Sequence, residues 1–313
     1  MLDELLKVIT NVAFFESSLR LATPLLLACM GSILSERAGV LNLSVEGMML
    51  VGAFSGFAGA FFSGNAWVGL LVAIFGAMIF GLIHAFCCIS LGLNQVVVSV
   101  AINILALGIT STLLRTLFGS TTSRLKSVGF SPVEIPLLSD IPVLGSIIFK
   151  QTVLVYIGLA MIPVIWWIFY KTSWGLKIRA VGEYPKAAET MGVKVARVRY
   201  ICVLCASALA GVAGASLTIA GLNTFVDNIT AGRGFIAFSA IVFGKFNPLG
   251  AAAGALLFGV ADAIQLNIQA LGIQIPYQIP LMFPYIITLV ILFVVGAGSS
   301  PKNWGVPYTD GDE

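Results

Sequence analysis

The stretch Ser35-Glu36-Arg37-Ala38-Gly39-Val40-Leu41-Asn42-Leu43-Ser44-Val45-Glu46-Gly47-Met48-Met49 gathers two carboxylates, an arginine, an asparagine and two glycines inside otherwise apolar sequence. An ionisable side chain at bilayer depth costs about 2.5 kcal/mol or more, so such residues face a protein interior or a watery path. Glycine on either side of Leu41-Asn42-Leu43 lets the backbone leave helical geometry, which lipid tolerates only where the irregular backbone lines a cavity or is buried in protein. Two readings fit: a broken helix aimed at a solute path, and an ordinary interfacial loop between two spans. Glu36 and Arg37 are expected to pair with each other or with a neighbouring loop at the interface.

Other chemistry is sparse. His84 is the only histidine and lies on an apolar span, which leaves neither a zinc site nor a histidine-based triad. Cys202-x-x-Cys205 has the spacing of half a metal site, but no second pair lies near it. With Cys29, Cys87 and Cys88, these cysteines read as small buried side chains. A phosphate-cradling loop needs a glycine upstream of Gly-Lys and a Ser or Thr after it. Gly244-Lys245 has Ser239 upstream and Phe246 after it. Gly232-x-Gly234-x-x-Ala237 lacks the preceding strand of a dinucleotide site. No catalytic constellation remains.

The elements that must position these residues are membrane spans. Apolar residues make up 58% of the 313, charged residues 10%, and the mean hydropathy is +1.01. Soluble domains run near a quarter charged. From Gly47 to Leu114 there is no Asp, Glu, Lys or Arg, far longer than the roughly 20 residues one span requires. The expected fold is an all-α, polytopic transmembrane bundle of about eight or nine spans with broken or re-entrant helices.

Residues 1–16 read as an amphipathic helix on a membrane face, with Leu2, Leu5, Leu6, Ile9 and Val12 near helical spacing. No cleavable signal peptide is expected there. Spans are predicted at 18–34, 43–62, 67–91, 96–117, 152–170 and 201–222, with a long polar connection at 118–151. Gly52-x-x-x-Gly56 and Ala210-Gly211-Val212-Ala213-Gly214-Ala215 are small-residue faces suited to close helix packing. The loop 171–200 carries seven basic residues (Lys171, Lys177, Arg179, Lys186, Lys194, Arg197, Arg199) against Glu183 and Glu189. The positive-inside rule makes this loop cytoplasmic, which puts the N-terminus outside. After a polar loop at 223–232, Gly234–Phe243 and Leu249–Val260 read as two pieces too short to cross, split around Asn247-Pro248, with Asp262 closing the second. Interrupted segments of this kind point to a midplane site. A last span is expected at 279–295 and a short polar tail at 299–313, whose side of the membrane the sequence leaves open.

The string from Ser35 to Met49 resembles the signature of permease subunits of bacterial ABC importers for nucleosides, a branch of the group that includes ribose, simple-sugar and branched-chain amino acid permeases. Ala22-Thr23-Pro24-Leu25-Leu26-Leu27-Ala28, Gly232-Arg233-Gly234-Phe235-Ile236-Ala237 and Phe243-Gly244-Lys245-Phe246-Asn247-Pro248-Leu249-Gly250 resemble it too. Lys245-Phe246 departs from the small residues or tryptophan expected there. The likeness covers roughly residues 18–297, within one permease domain at 17–298.

The resemblance implies a subunit that moves nucleosides by alternating access while a separate ATPase binds and hydrolyses ATP, so no cofactor belongs to this chain. Implied partners are that cytoplasmic ATPase, a second permease subunit, an extracytoplasmic solute-binding protein and the lipid of a bacterial plasma membrane, with no nucleic acid. Tyr184, Pro185, Ala187, Ala188, Glu189 and Gly192 match the short helix by which such permeases dock on the ATPase. Pro185 suits a first helical position, Ala187 and Ala188 favour helix, and Gly192 can end it. Asn42, Glu46, Asn94, Gln95 and Asn103 are the candidate solute contacts, because amides and a carboxylate match ribose hydroxyls and base edges. Each amide could equally make an interhelical hydrogen bond. Rival readings change the cargo to a simple sugar or branched-chain amino acid, or make the chain an ion-coupled carrier using Glu46 or Asp262.

Overall fold

The computed structural model describes residues 12–119, 126–134, 144–270 and 300–308, with isolated positions at 282, 286, 289–290 and 293. The expected amphipathic segment lies outside the described residues up to position 11. So does the last expected span, apart from those isolated positions.

Apolar sequence becomes helix wherever the backbone must satisfy its own polar groups in lipid. The long helices are α1 Val12–Arg37, α2 Val45–Ser63, α3 Ala66–Ala85, α4 Gln95–Phe118, α6 Val153–Lys171, α9 Val195–Leu217 and α11 Pro248–Ala270. Single π turns, Phe86–Ser90 and Thr218–Leu222, extend α3 and α9. Shorter helices are α5 Leu144–Ile148, α7 Ser173–Glu183, α8 Pro185–Thr190 and α10 Arg233–Phe243. Among the described residues, seven helices are long and apolar enough to cross a membrane. The chain is a multi-pass membrane protein. One antiparallel ribbon pairs β1 Val133–Glu134 with β2 Lys150–Gln151.

A helix apolar on every side belongs in the middle of a bundle or in lipid, and here burial separates the two. Leu25 to Glu36 of α1 are all buried, while α3 and α4 turn Leu71, Phe75, Ile79, Val97 and Ile104 outward. The two small-residue faces meet each other. A Cβ on Gly52 would stand 2.6 Å from the Gly211 Cα, and one on Gly214 would stand 2.0 Å from the Met49 carbonyl oxygen. Backbone thus lies against backbone where α2 crosses α9.

Two expectations change. The second split piece is a full helix, Pro248–Ala270, that continues through Asp262. Asn247 caps it by accepting the Leu249 N–H at 3.0 Å, and the sequence from Val260 to Ala270 holds no glycine or proline to stop it. Only the first piece, α10, is short. Helix α9 also starts at Val195, so Arg197 and Arg199 leave the basic loop and enter its first turns.

Candidate translocation site and coupling surface

The helix is interrupted between Arg37 and Val45. Gly39 makes the break, with φ +83°, a value that costs any residue with a Cβ. Gly47 has another job. It is helical, and a Cβ there would sit 2.8 Å from Asn103 Oδ1. Asn103 spans the junction, accepting the Gly47 N–H at 2.8 Å and donating to the Leu43 carbonyl at 3.0 Å. Gln95 accepts the Leu41 N–H at 2.7 Å. Asn42 donates its N–H to Glu36 Oε1 at 2.9 Å, and its side-chain oxygen accepts the Ser44 hydroxyl at 2.6 Å. That hydroxyl also lies 3.2 Å from His84 Nδ1. Buried, irregular backbone leaves polar groups that must find partners, and Gln95, Asn103, Glu36 and His84 are placed to supply them. Among the described residues, Asn42 Nδ2 and Gln95 Nε2 are buried without a hydrogen-bond partner.

Glu46 faces a second helix end. Its Oε1 accepts the Thr230 hydroxyl at 2.6 Å and the Gly232 N–H at 2.8 Å, and its Oε2 accepts the Gly234 N–H at 2.6 Å. A carboxylate against unpaired N–H groups at a helix start is favoured by both hydrogen bonding and the helix dipole. Cys29 donates to the Ala237 carbonyl at 3.1 Å, and Arg37 donates to the Phe246 carbonyl at 2.7 Å. Those two points are eight residues apart on α1, about 12 Å at helical rise. Helix α10 therefore starts deep beside Glu46 and runs with α1 toward the basic loop. It ends in a bend where Lys245 and Phe246 both take positive φ, 54° and 55°, a conformation that costs about 1–2 kcal/mol per residue with a Cβ.

The expected site residues thus fall into two groups. Asn42, Glu46, Gln95 and Asn103 come together around the helix break and the start of α10. Asn94 stands apart, exposed, as the N-cap of α4 accepting the Val96 and Val97 N–H groups. Glu36 and Arg37 do not pair with each other. Arg37 reaches the α10–α11 bend, and Glu36 accepts the Trp304 indole N–H.

The segment from Tyr184 to Gly192, expected to dock on an ATPase, forms a separate surface. Pro185 occupies the first turn of α8, and Gly192, at φ +82°, ends the turn that follows it. Ala188 points inward and is 5% exposed, whereas Met191 is 84% exposed. Lys186, Ala187, Glu189 and Thr190 make up the rest of the outward face. Beside α8 lies the C-terminal segment 300–308, which sequence reasoning left without a partner. Its Asn303 N–H bonds the Gly182 carbonyl at 3.0 Å, and its Gly305 N–H bonds the Gly39 carbonyl at 3.1 Å. Lys302 donates to the Tyr184 hydroxyl, which pushes the lysine pKa above its ordinary value, and its ammonium lies 4.7 Å from the centre of that ring. The C-terminal segment therefore lies on the same face as the basic loop. A cavity of about 390 Å³ opens between the two, lined by Tyr184, Pro185, Ala187, Asn303, Val306 and Tyr308.

A family model described as branched-chain amino acid transport system / permease component matches residues 14–295. The chain belongs to this permease family. Among its relatives, this permease is 40% identical over 302 residues to the guanosine ABC transporter permease protein NupQ of Bacillus subtilis, a match covering 93% of this chain and 94% of that one. It is 42% identical over 269 residues to a Haloferax volcanii protein named "Putative glucose ABC transporter permease protein", covering 85% and 80%. A solved structure described as "An inward-facing conformation of a putative metal-chelate type ABC transporter" shares the fold, with a TM-score of 0.52 at 16% identity over 92% of this chain and 88% of that one.

Proposed function

We propose that this permease carries nucleosides inward as one membrane subunit of an ABC importer in a bacterial plasma membrane. It pairs with a second permease subunit, receives solute from an external binding protein, and is driven by a cytoplasmic ATPase that alone binds ATP. The chain catalyses no reaction itself. The observation that carries this reading is α8: a short helix anchored inward by Ala188, with Ala187 and the following Met191 exposed on its outer face, beside the break between α1 and α2. The near full-length likeness to a guanosine permease favours the nucleoside cargo. An ion-coupled carrier that uses Glu46 is disfavoured, because both of its oxygens are already occupied by Thr230, Gly232 and Gly234.

Asn42, Glu46, Gln95 and Asn103 act on the path by holding the two helix ends that meet there. Asn42 Nδ2 and Gln95 Nε2, which lack partners among the described residues, are the donors offered to a ribose hydroxyl or base edge when the site opens. Asn94 serves this path only indirectly, by capping α4.

The test is ATP-dependent uptake of labelled guanosine into proteoliposomes holding the assembled transporter and its binding protein. Uptake competed by unlabelled nucleosides and not by glucose supports the reading. Competition by glucose alone moves the cargo to simple sugars. Uptake that needs an ion gradient and no ATPase overturns it.

A further inference from the structure

Residues 300–308 touch the coupling surface and the helix break at once. At one end the Tyr308 hydroxyl donates to Glu189 Oε2 on α8. At the other, the Trp304 indole donates to Glu36 Oε2, at the last turn of α1. Glu36 uses its other oxygen to hold the Asn42 N–H at 2.9 Å, so one buried carboxylate joins this segment to the unwound strand. The Trp304 ring also lies parallel to Phe238 of α10 (6.1 Å, 13°) and edge-on to Phe246 (5.3 Å, 75°). Between the two aromatics, Arg199 donates to the Val306 carbonyl at 3.4 Å and sets its guanidinium 5.7 Å from the Tyr308 ring centre. Arg199 is 1% exposed.

We propose that residues 300–308 are a clasp that transmits movement of α8 to the interrupted helix, with Tyr308 holding Glu189 and Trp304 holding Glu36. Three residues lie between Trp304 and Tyr308, four steps of the chain and a backbone reach of at most about 14 Å fully extended. The backbone bonds to Gly182 and Gly39 leave that short tether little slack. A displacement of α8 must therefore pull on Glu36, release it, or carry it along. The Trp304 ring sends the same displacement to α10 through Phe238 and Phe246. Direct packing of α7 on α1, where a Cβ on Gly182 would meet the Arg37 carbonyl at 2.1 Å, moves the two bodies together. The clasp adds a link to the carboxylate that orders Asn42.

This inference rests on α8 being the ATPase-facing helix. Its test uses the whole reconstituted transporter with the variants Trp304→Phe and Tyr308→Phe, singly and together. Each keeps an aromatic ring and removes the donor to Glu36 or Glu189, and Trp304→Phe also shrinks the ring that packs on Phe238 and Phe246. Assembly and basal ATP hydrolysis are expected to survive, while solute moved per ATP falls about fivefold or more, the scale of a typical coupling energy. The double variant should be no worse than the poorer single, because the two bonds act in series. Wild-type uptake per ATP in the double variant overturns the clasp. So does a parallel loss of assembly and hydrolysis, which marks a plain anchor. Met191→Asp, on the outward face of α8, separates the two levels. If it uncouples transport while the clasp variants do not, the clasp alone fails. If it has no effect, the reading of α8 fails and takes the clasp with it.

Discussion

Glu46, in the first turn of α2, accepts the Gly234 N–H at 2.6 Å and so binds the start of α2 to the start of α10. The residues are 188 positions apart. They are also packed without a gap, since a Cβ on Gly234 would fall 2.6 Å from the Glu46 Cα. One carboxylate thus joins the starts of two helices.

Glu46→Gln keeps the size of the side chain but loses the charge and one acceptor. Hydrogen bonds to charged groups contribute about 1.5–3 kcal/mol, so a destabilisation of that order is expected. A lower melting temperature of the purified protein in detergent checks it. Gly234→Ala should be worse than Glu46→Gln, because backbone blocks the added methyl.

The two alanines of α8 should separate. Ala188→Asp puts a charge into the chain's own packing, and an unpaired buried charge costs several kcal/mol, so the folded yield falls. Ala187→Asp changes only the outward face. That variant should fold with an unchanged melting temperature yet fail to retain the ATPase in a gentle-detergent pull-down. Retention of the ATPase by Ala187→Asp would move docking elsewhere.

Asn103→Ala removes both partners of the junction at once, leaving the Gly47 N–H and the Leu43 carbonyl unpaired. Each buried group left unsatisfied costs about 1–3 kcal/mol. Thermal stability and uptake should fall together, and a stable variant with selectively raised KM would instead place Asn103 on the solute.

Glycines in helices should differ by neighbour. Gly214→Ala cannot fit against the Met49 carbonyl, 2.0 Å away, and should abolish folded protein. Among the described residues, Gly108 has nothing within 4 Å of its would-be Cβ, and Gly108→Ala should leave stability equal or raised by up to about 1 kcal/mol, the helix-propensity difference. Comparing the fluorescence-detected size-exclusion profiles of the two variants decides this.

How much of this was legible beforehand follows from the range of the forces. Four spans, 43–62, 67–91, 96–117 and 152–170, could be placed within two residues, because each depends on local hydropathy and on a backbone that must satisfy itself in lipid. The basic segment 171–200 stood out because seven cations lie in it, and the positive-inside rule alone gives its expected cytoplasmic side. The break at Gly39 and the turn of Pro185 to Gly192 were readable for the same reason, since backbone dihedral preference belongs to the residue itself. The sequence alone did not reveal that Glu46 caps α10, that α11 continues past Asp262, or that Gly52 and Gly214 seat α2 against α9. Nor did it pair Glu36 with Trp304; the only signal was an aromatic residue in a polar tail. Those pairings join residues scores to hundreds of positions apart, and only the packed bundle decides which buried donor meets which acceptor.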